Sequence, residues 1–276
     1  MSGILLTVAY DGRLFAGFAP QPSQRTIAGE LLGALRAVDP HILEIRGASR
    51  TDAGVHARGQ RVAFDASEGS TIPTRGWVLA VTRHLPSEIA VRRAAVVPRG
   101  YSPRFSNQGK RYRYTLLRDA VRDPFLDGRA WRAEGLFHRG AVECLRDEAK
   151  SAIGTHDFAA FRSSSDPREN TTRTLRSVEV IEDAMDPRLL FIDVVGDAFM
   201  HNMVRILVGT FVDVARGRLT PGAVARALAS RDRRDAGITA PPDGLCLERV
   251  FLPDEGESAW PPDGGTRNEI DEAADP

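Results

Sequence analysis

The segment over residues 47–60, GASRTDAGVHARGQ, carries several residue types that could do chemistry. An arginine, a carboxylate, two glycines and a histidine lie within ten residues of one another. The segment falls in a loop predicted between two strands, and loops on a rigid sheet are where catalytic residues concentrate. A surface turn is the alternative, because Thr-Asp-Ala-Gly is favourable turn chemistry. Asp52 and His56 have no third ligand at a suitable spacing, so we expect no metal site.

Arg205 lies within the apolar run that we predict as a helix over residues 199–216. The run is apolar on most sides, as a buried helix should be. A buried guanidinium needs a carboxylate partner, since leaving it unpaired costs several kcal/mol. We therefore expect Arg205 to be partly buried and paired with a carboxylate in a site. The alternative is that its long side chain reaches the surface.

Arginines and tyrosines alternate along a strand predicted over residues 110–118. Arg111 and Arg113 then face one way, and Tyr112 and Tyr114 face the other. Aromatic and arginine side chains on strands can stack on bases and hold phosphates. A half-buried strand with its tyrosines in the core and its arginines in solvent would show the same alternation.

The predicted elements form two similar sets. The first half has strands over 3–10, 42–48, 60–66 and 89–97 and helices over 26–38 and 73–85; the second has strands over 110–118, 175–182, 189–195 and 245–252 and helices over 138–153, 199–216 and from 221. This order predicts an α+β fold of two halves, 1–107 and 108–253, whose mixed or antiparallel sheet carries helices on one face. The other face would be free for a ligand or polymer, and a basic cleft between the halves would hold Asp52.

Composition excludes a disordered, collagen-like or disulfide-stapled chain: 42% of the 276 residues are apolar and only two are cysteine. The zero net charge conceals an asymmetry, because residues 254–276 hold eight acidic residues and one arginine. The remaining body has 36 basic and 29 acidic residues, a mild indication of nucleic-acid binding. We expect the acidic tail to be disordered. No apolar run is long enough to span a membrane, and we expect a cytoplasmic protein.

Together these segments resemble the tRNA pseudouridine synthase A family over nearly the whole chain. The motifs occur in the family's order: YDGRLFAGF over 10–18 with Gln21, RTIAGEL over 25–31, RTDAGVHA over 50–57, LP at 85–86, RFS over 104–106, RYRY over 111–114, HDFAAFR over 156–162, FMHNMVR over 199–205 and TAPPDGL over 239–245. RTDAGVHA is the most diagnostic. Ser49 stands where the family usually has glycine, and Phe18 replaces the usual tryptophan.

The resemblance implies a pseudouridine-synthase-like fold and isomerisation of uridine to pseudouridine at positions 38, 39 and 40 in the tRNA anticodon stem-loop. By this resemblance Asp52 is the catalytic aspartate, Tyr112 stacks on the target uracil, Arg205 pairs with the aspartate, and Arg50 lies near the flipped nucleotide. It also implies a homodimer that binds tRNA rather than DNA. The isomerisation changes no oxidation state and adds no group, so we expect no cofactor.

Three alternatives stay open. A non-catalytic RNA-binding protein on the same fold would keep Tyr112 and the arginines but would not need Asp52 with Arg205. A metal-dependent nuclease or hydrolase would need several converging ligands, whereas only Asp52 and His56 are near each other in the sequence. A synthase of the same chemistry could instead act on ribosomal or small nuclear RNA.

Overall fold

One long, mixed sheet forms the core of the protein. The computed structural model describes residues 2–136, 138, 140–253 and 257–261. Within them the strands are β1 Ser2–Tyr10, β2 Arg46–Gly47, β3 His56–Asp65, β4 Ile89–Pro98, β5 Gly109–Leu117, β6 Trp131–Arg132, β7 Gly154–Asp157, β8 Thr172–Glu182, β9 Leu189–Gly196, β10 Leu245–Phe251 and β11 Glu257–Trp260. Their order is β11-β4-β1-β3-β10-β5-β9-β8-β7, with β2 beside β3 and β6 beside β5. The predicted α+β class with a mixed sheet is confirmed.

The helices pack in two groups. They are α1 Ile27–Val38, α2 Thr74–His84, α3 Pro103–Ser106, α4 Ala141–Ser151, α5 Met203–Ala215 and α6 Ala223–Ser230. α1 packs on α2, whereas α4, α5 and α6 pack on one another. The hydroxyl of Thr26 accepts a hydrogen bond from the Gly29 backbone N–H at 3.2 Å, so Thr26 caps α1 as predicted. Trp77 of α2 packs edge-on against Phe64 of β3, with ring centroids 4.9 Å apart.

The two sets of strands meet at the centre of the sheet. β10 comes from the end of the second predicted half, yet it pairs in parallel with β3, with Cys246 opposite His56 and Leu247 opposite Ala57. On its other side β10 pairs antiparallel with β5. The chain therefore returns to the boundary between the halves and makes the sheet continuous. The division at residue 107 stays a prediction.

The strand predicted over 42–48 is wrong for its first part, since only Arg46–Gly47 is a strand. Arg36 of α1 explains the difference: its guanidinium donates to the carbonyls of Ile42 and Leu43 at 3.0 and 2.9 Å. Those carbonyls are satisfied by a side chain and need no neighbouring strand. β3, in turn, begins at His56 rather than at the predicted residue 60.

Part of the acidic tail is ordered. Residues 257–260 form β11, which pairs antiparallel with β4 and places Trp260 opposite Ala94. The Arg75 guanidinium lies 5.8 Å from the centroid of the Trp260 ring. Packing of the large Trp260 ring favours an ordered strand despite the polar composition of the segment. The prediction of disorder is therefore wrong for residues 257–260. Residues 254–256 and 262–276 of the predicted tail lie outside the described residues.

The tyrosines of β5 face the second group of helices, and the arginine between them faces away. Tyr112 packs against Phe199, just before α5, whereas Arg113 forms a bidentate pair with Asp193 of β9, both bonds being 2.7 Å long. Tyr112 therefore faces the segment that leads into α5, the helix that carries Arg205.

Candidate active site

The loop between β2 and β3 carries Asp52 and is fixed through its backbone. The Phe18 N–H donates to the Thr51 carbonyl at 3.0 Å. Gly17 has φ +105°, and a Cβ there would lie 2.8 Å from the same carbonyl oxygen. Only glycine combines that left-handed backbone with so close an approach. The segment that leads into α1 therefore holds the loop from one side.

Gln60 holds the same loop from within the sheet. Its side chain is fully buried; Oε1 accepts from the Ser49 N–H at 3.2 Å and Nε2 donates to the Ser49 carbonyl at 2.8 Å. The Tyr10 hydroxyl adds a bond of 2.8 Å to the Thr51 hydroxyl. Sequence reasoning missed Gln60 and Tyr10 as parts of the site. Gln60 stands between Gly59 and Arg61 in β3, so its neighbours in the sequence carry no signal for this role.

Two side chains that are able to carry positive charge flank Asp52, whose side chain is 25% exposed. Its Oδ1 lies 3.5 Å from His201 Nε2, and its Oδ2 lies 3.8 Å from a terminal nitrogen of Arg205. Burial raises the pKa of Asp52 above its ordinary value, whereas His201, Arg205 and the Asn202 backbone N–H act in the opposite direction. Desolvation thus outweighs the cations, and the carboxyl is more basic than one in water.

Arg205 is held as predicted inside an apolar helix, with its side chain 15% exposed. Its Nε donates to the Ala240 carbonyl at 2.7 Å and Nη1 donates to Asn202 Oδ1 at 2.7 Å. Asn202 caps α5 in a left-handed conformation, φ +62°, which asparagine tolerates better than most residues. These two bonds direct the guanidinium toward Asp52, so Arg205 does not extend into solvent.

Tyr112 is buried, 6% exposed, and bonded to the loop that carries Asp52. Its ring meets Phe199 edge-on at 5.0 Å between centroids, and its hydroxyl lies 3.1 Å from the Ser49 hydroxyl. Burial raises the pKa of Tyr112 to about 12, and the charge of Asp52 adds to this effect. The phenol therefore stays protonated at neutral pH, as a donor close to the carboxylate.

Arg50 and His56 lie in the same segment as Asp52 but differ from it in role. Arg50 is exposed and has no hydrogen bond or ion pair with any residue the structure describes. His56 is structural: its Nδ1 accepts from the Gly12 N–H at 3.2 Å, and its Nε2 lies 3.1 Å from the Asp243 carbonyl. Across the described ranges, no three potential metal ligands converge.

A basic cluster adjoins the site along β5. Lys110, two residues before Tyr112, is largely buried, and burial together with Arg104 and Arg168 lowers its pKa to about 8, while Asp197 acts in the opposite direction. Arg168 also donates to the Phe199 carbonyl at 3.2 Å. At neutral pH the cluster is positively charged beside the ring that packs on Tyr112.

The fold and the site together define a class. A partly buried carboxylate beside an arginine and a tyrosine, in a braced loop at the centre of a mixed α+β sheet, is the arrangement expected of a pseudouridine synthase. None of the helices in the described part of the chain is long and apolar enough to cross a membrane.

Comparison with known proteins identifies the family. A family model described as tRNA pseudouridine synthase matches residues 149–253. The tRNA pseudouridine synthases A of Geobacter sp. strain M21 and Geobacter sulfurreducens are 38% and 40% identical, over 92% and 91% of this chain and 100% and 99% of theirs. That of Myxococcus xanthus is 38% identical over 99% of this chain and 100% of its own. The chain belongs to the tRNA pseudouridine synthase A family, whose members are isomerases, and the resemblance in the motifs is confirmed.

Proposed function

We propose that this protein isomerises uridine to pseudouridine at positions 38, 39 and 40 of the tRNA anticodon stem-loop, with Asp52 as the catalytic carboxylate. The observation that carries the proposal is the setting of Asp52, which is partly buried in a braced loop with Arg205 at 3.8 Å. Its relatives are named tRNA pseudouridine synthase A. We also propose that the protein is cytoplasmic.

The reaction exchanges one bond of the base for another. The N1–C1′ bond breaks, the uracil turns, and C5 bonds to C1′; C5 loses its proton and N1 gains one. An ionised carboxylate can begin this as a nucleophile at the base or the sugar, or as the base that removes the ribose 2′ proton. Each route needs Asp52 charged in a dry site, and Arg205 opposes the desolvation that would neutralise it.

Tyr112 and the cations take the remaining roles. The target uridine must leave its stack to reach Asp52, at a cost of a few kcal/mol, and the Tyr112 ring offsets part of that cost by stacking on it. Arg50, exposed and two residues before Asp52, binds beside the flipped nucleotide. Lys110 and Arg104 attract the RNA backbone.

The homodimer remains part of the proposal. Large apolar side chains exposed on this single chain include Phe105, Phe125 and Met185, and contact with a second copy would remove such side chains from water. Light scattering of the purified protein at several concentrations checks the state: a mass twice 30.1 kDa is expected, and a constant monomer mass would contradict it.

Tritium release tests the activity directly. tRNA that carries uridine labelled at carbon 5 is incubated with EDTA and either wild type or Asp52→Asn. C5 loses its hydrogen only when it becomes the glycosidic carbon, so release reports isomerisation. We expect release by wild type and none by Asp52→Asn, with tRNA bound by both. If wild type binds tRNA and releases no tritium, the non-catalytic RNA-binding alternative replaces this proposal.

A further inference from the structure

His201 approaches Asp52 more closely than Arg205 does. Its Nε2 lies 3.5 Å from Oδ1, whereas the nearest nitrogen of Arg205 lies 3.8 Å from Oδ2. The two residues therefore take different oxygens of one carboxylate. His201 is fixed by its own backbone as well, because its N–H donates to Asp166 Oδ2 at 2.9 Å.

Two serines bind the side of the His201 ring that faces away from Asp52. The Nδ1 of His201 lies 3.1 Å from the Ser165 hydroxyl, which lies 2.9 Å from the Ser163 hydroxyl. A hydroxyl both donates and accepts. Ser165 can donate to a neutral imidazole and, after rotating, accept from a protonated one. In both states Nε2 carries a hydrogen that faces Asp52.

We infer that His201 is a positioning residue that orients Asp52 and favours its ionised form, with Ser165 and Ser163 keeping the imidazole aligned. This inference deepens the proposed function and rests on Asp52 being its catalytic group. A nitrogen that bears a hydrogen 3.5 Å from Oδ1 favours the ionised form of the carboxylate.

Two groups of charged or titratable side chains bear on the contact between His201 and Asp52. Arg205 of α5 and Tyr112 of β5 interact with Asp52, whereas Asp166, which is paired with Arg168, accepts from the His201 backbone N–H. Asp166 and Arg168 form a close ion pair that holds the pKa of Asp166 well below its usual range. The charges of Asp166 and Arg168 offset each other, so Asp52 is the carboxylate that interacts with the His201 imidazole.

Titration of the Asp52 carboxyl without RNA tests the inference independently of activity. Aspartate labelled at the carboxyl carbon is followed by NMR against pH, and Asp52→Asn identifies the signal. In His201→Gln we expect the titration midpoint to rise by about one pH unit, because His201 acts to lower the pKa of Asp52. In Ser165→Ala the midpoint should rise less. In the double variant of His201→Gln and Ser165→Ala it should rise no more than in His201→Gln alone. His84→Gln, at an exposed histidine of α2, should leave the midpoint unchanged.

The pH dependence of turnover on tRNA gives the second readout. His201→Gln should lower kcat more than it raises KM and should move the acid limb of kcat upward by the same unit. An unmoved carboxyl midpoint, or a rise in KM with an unmoved acid limb, would overturn the inference. If wild type makes no pseudouridine while the midpoint still shifts, the proposed function fails and the link between His201 and Asp52 stands.

Discussion

Replacement of Arg205 by methionine removes a charge and keeps most of the packing within α5. Two unit charges 3.8 Å apart interact by about 4 kcal/mol at an effective dielectric constant of about 20. This is an upper bound, because the Asp52 side chain is 25% exposed and water screens the pair. One pKa unit corresponds to about 1.4 kcal/mol. We therefore expect Arg205→Met to raise the pKa of Asp52 by about one to three units, within the range for an adjacent arginine.

The assay is tritium release under saturating tRNA, measured from about pH 5 to pH 9. If charge is the function of Arg205, the acid limb of kcat moves upward by the same one to three units and activity recovers toward alkaline pH. Arg205→Lys keeps the charge but loses the fork that bonds Ala240 and Asn202. Its limb should therefore stay near that of wild type while the plateau falls.

Arg216→Met is the matched control, since Arg216 follows the same helix and packs on Trp131 at 5.1 Å, away from Asp52. It should leave the pH profile unchanged. A loss of activity by one constant factor at every pH in Arg205→Met would refute the reasoning. Arg205 would then act through geometry or RNA contact, and the charge of Asp52 would have another source.

Three further predictions concern stability and binding. Burial raises the folded-state pKa of Asp52, so the folded protein loses stability as pH rises from the unfolded-state pKa to the folded-state pKa. Asp52→Asn should therefore raise Tm at pH 7 and leave it unchanged below about pH 4. Equal Tm values of wild type and variant at pH 7 would contradict this. Ser49→Ala leaves the buried phenol of Tyr112 without its partner and should lower the free energy of unfolding by about 1–3 kcal/mol. Tyr112→Phe should lower it by less, and the double variant by little more than Tyr112→Phe. Chemical denaturation of the three variants and wild type measures these differences. Lys110, with its pKa lowered to about 8, should lose its charge between pH 7 and 9. Wild type should therefore lose tRNA affinity over that range, whereas Lys110→Arg should not. Filter binding measures both, and parallel pH profiles of the two proteins would contradict the prediction.

The sequence alone predicted the elements that a period or a cap defines. The apolar periodicity of α1 and the cap at Thr26 gave that helix correctly, and the alternation along β5 placed Tyr112 and Arg113 on opposite faces. The short length of β2 could not be predicted from such patterns, because the Ile42 carbonyl is bound by Arg36, a side chain of α1 six residues earlier. Secondary-structure propensity depends on residues that are close in the sequence. It therefore cannot predict that a side chain from another element will replace a neighbouring strand as the hydrogen-bond partner.

The same limit separates the residues of the site that were found from those that were missed. Arg205 breaks the apolar pattern of its helix, whereas Asp52 and Tyr112 were predicted through the motifs RTDAGVHA and RYRY. Gln60 is informative only through Ser49, eleven residues away, whose N–H and carbonyl it binds together. His201 lies in the motif FMHNMVR, but its position 3.5 Å from Asp52 exists only once the segment before α5 lies against the β2–β3 loop. A catalytic group can thus be inferred from its own chemistry, whereas the groups that position it are defined by contacts that exist only after folding.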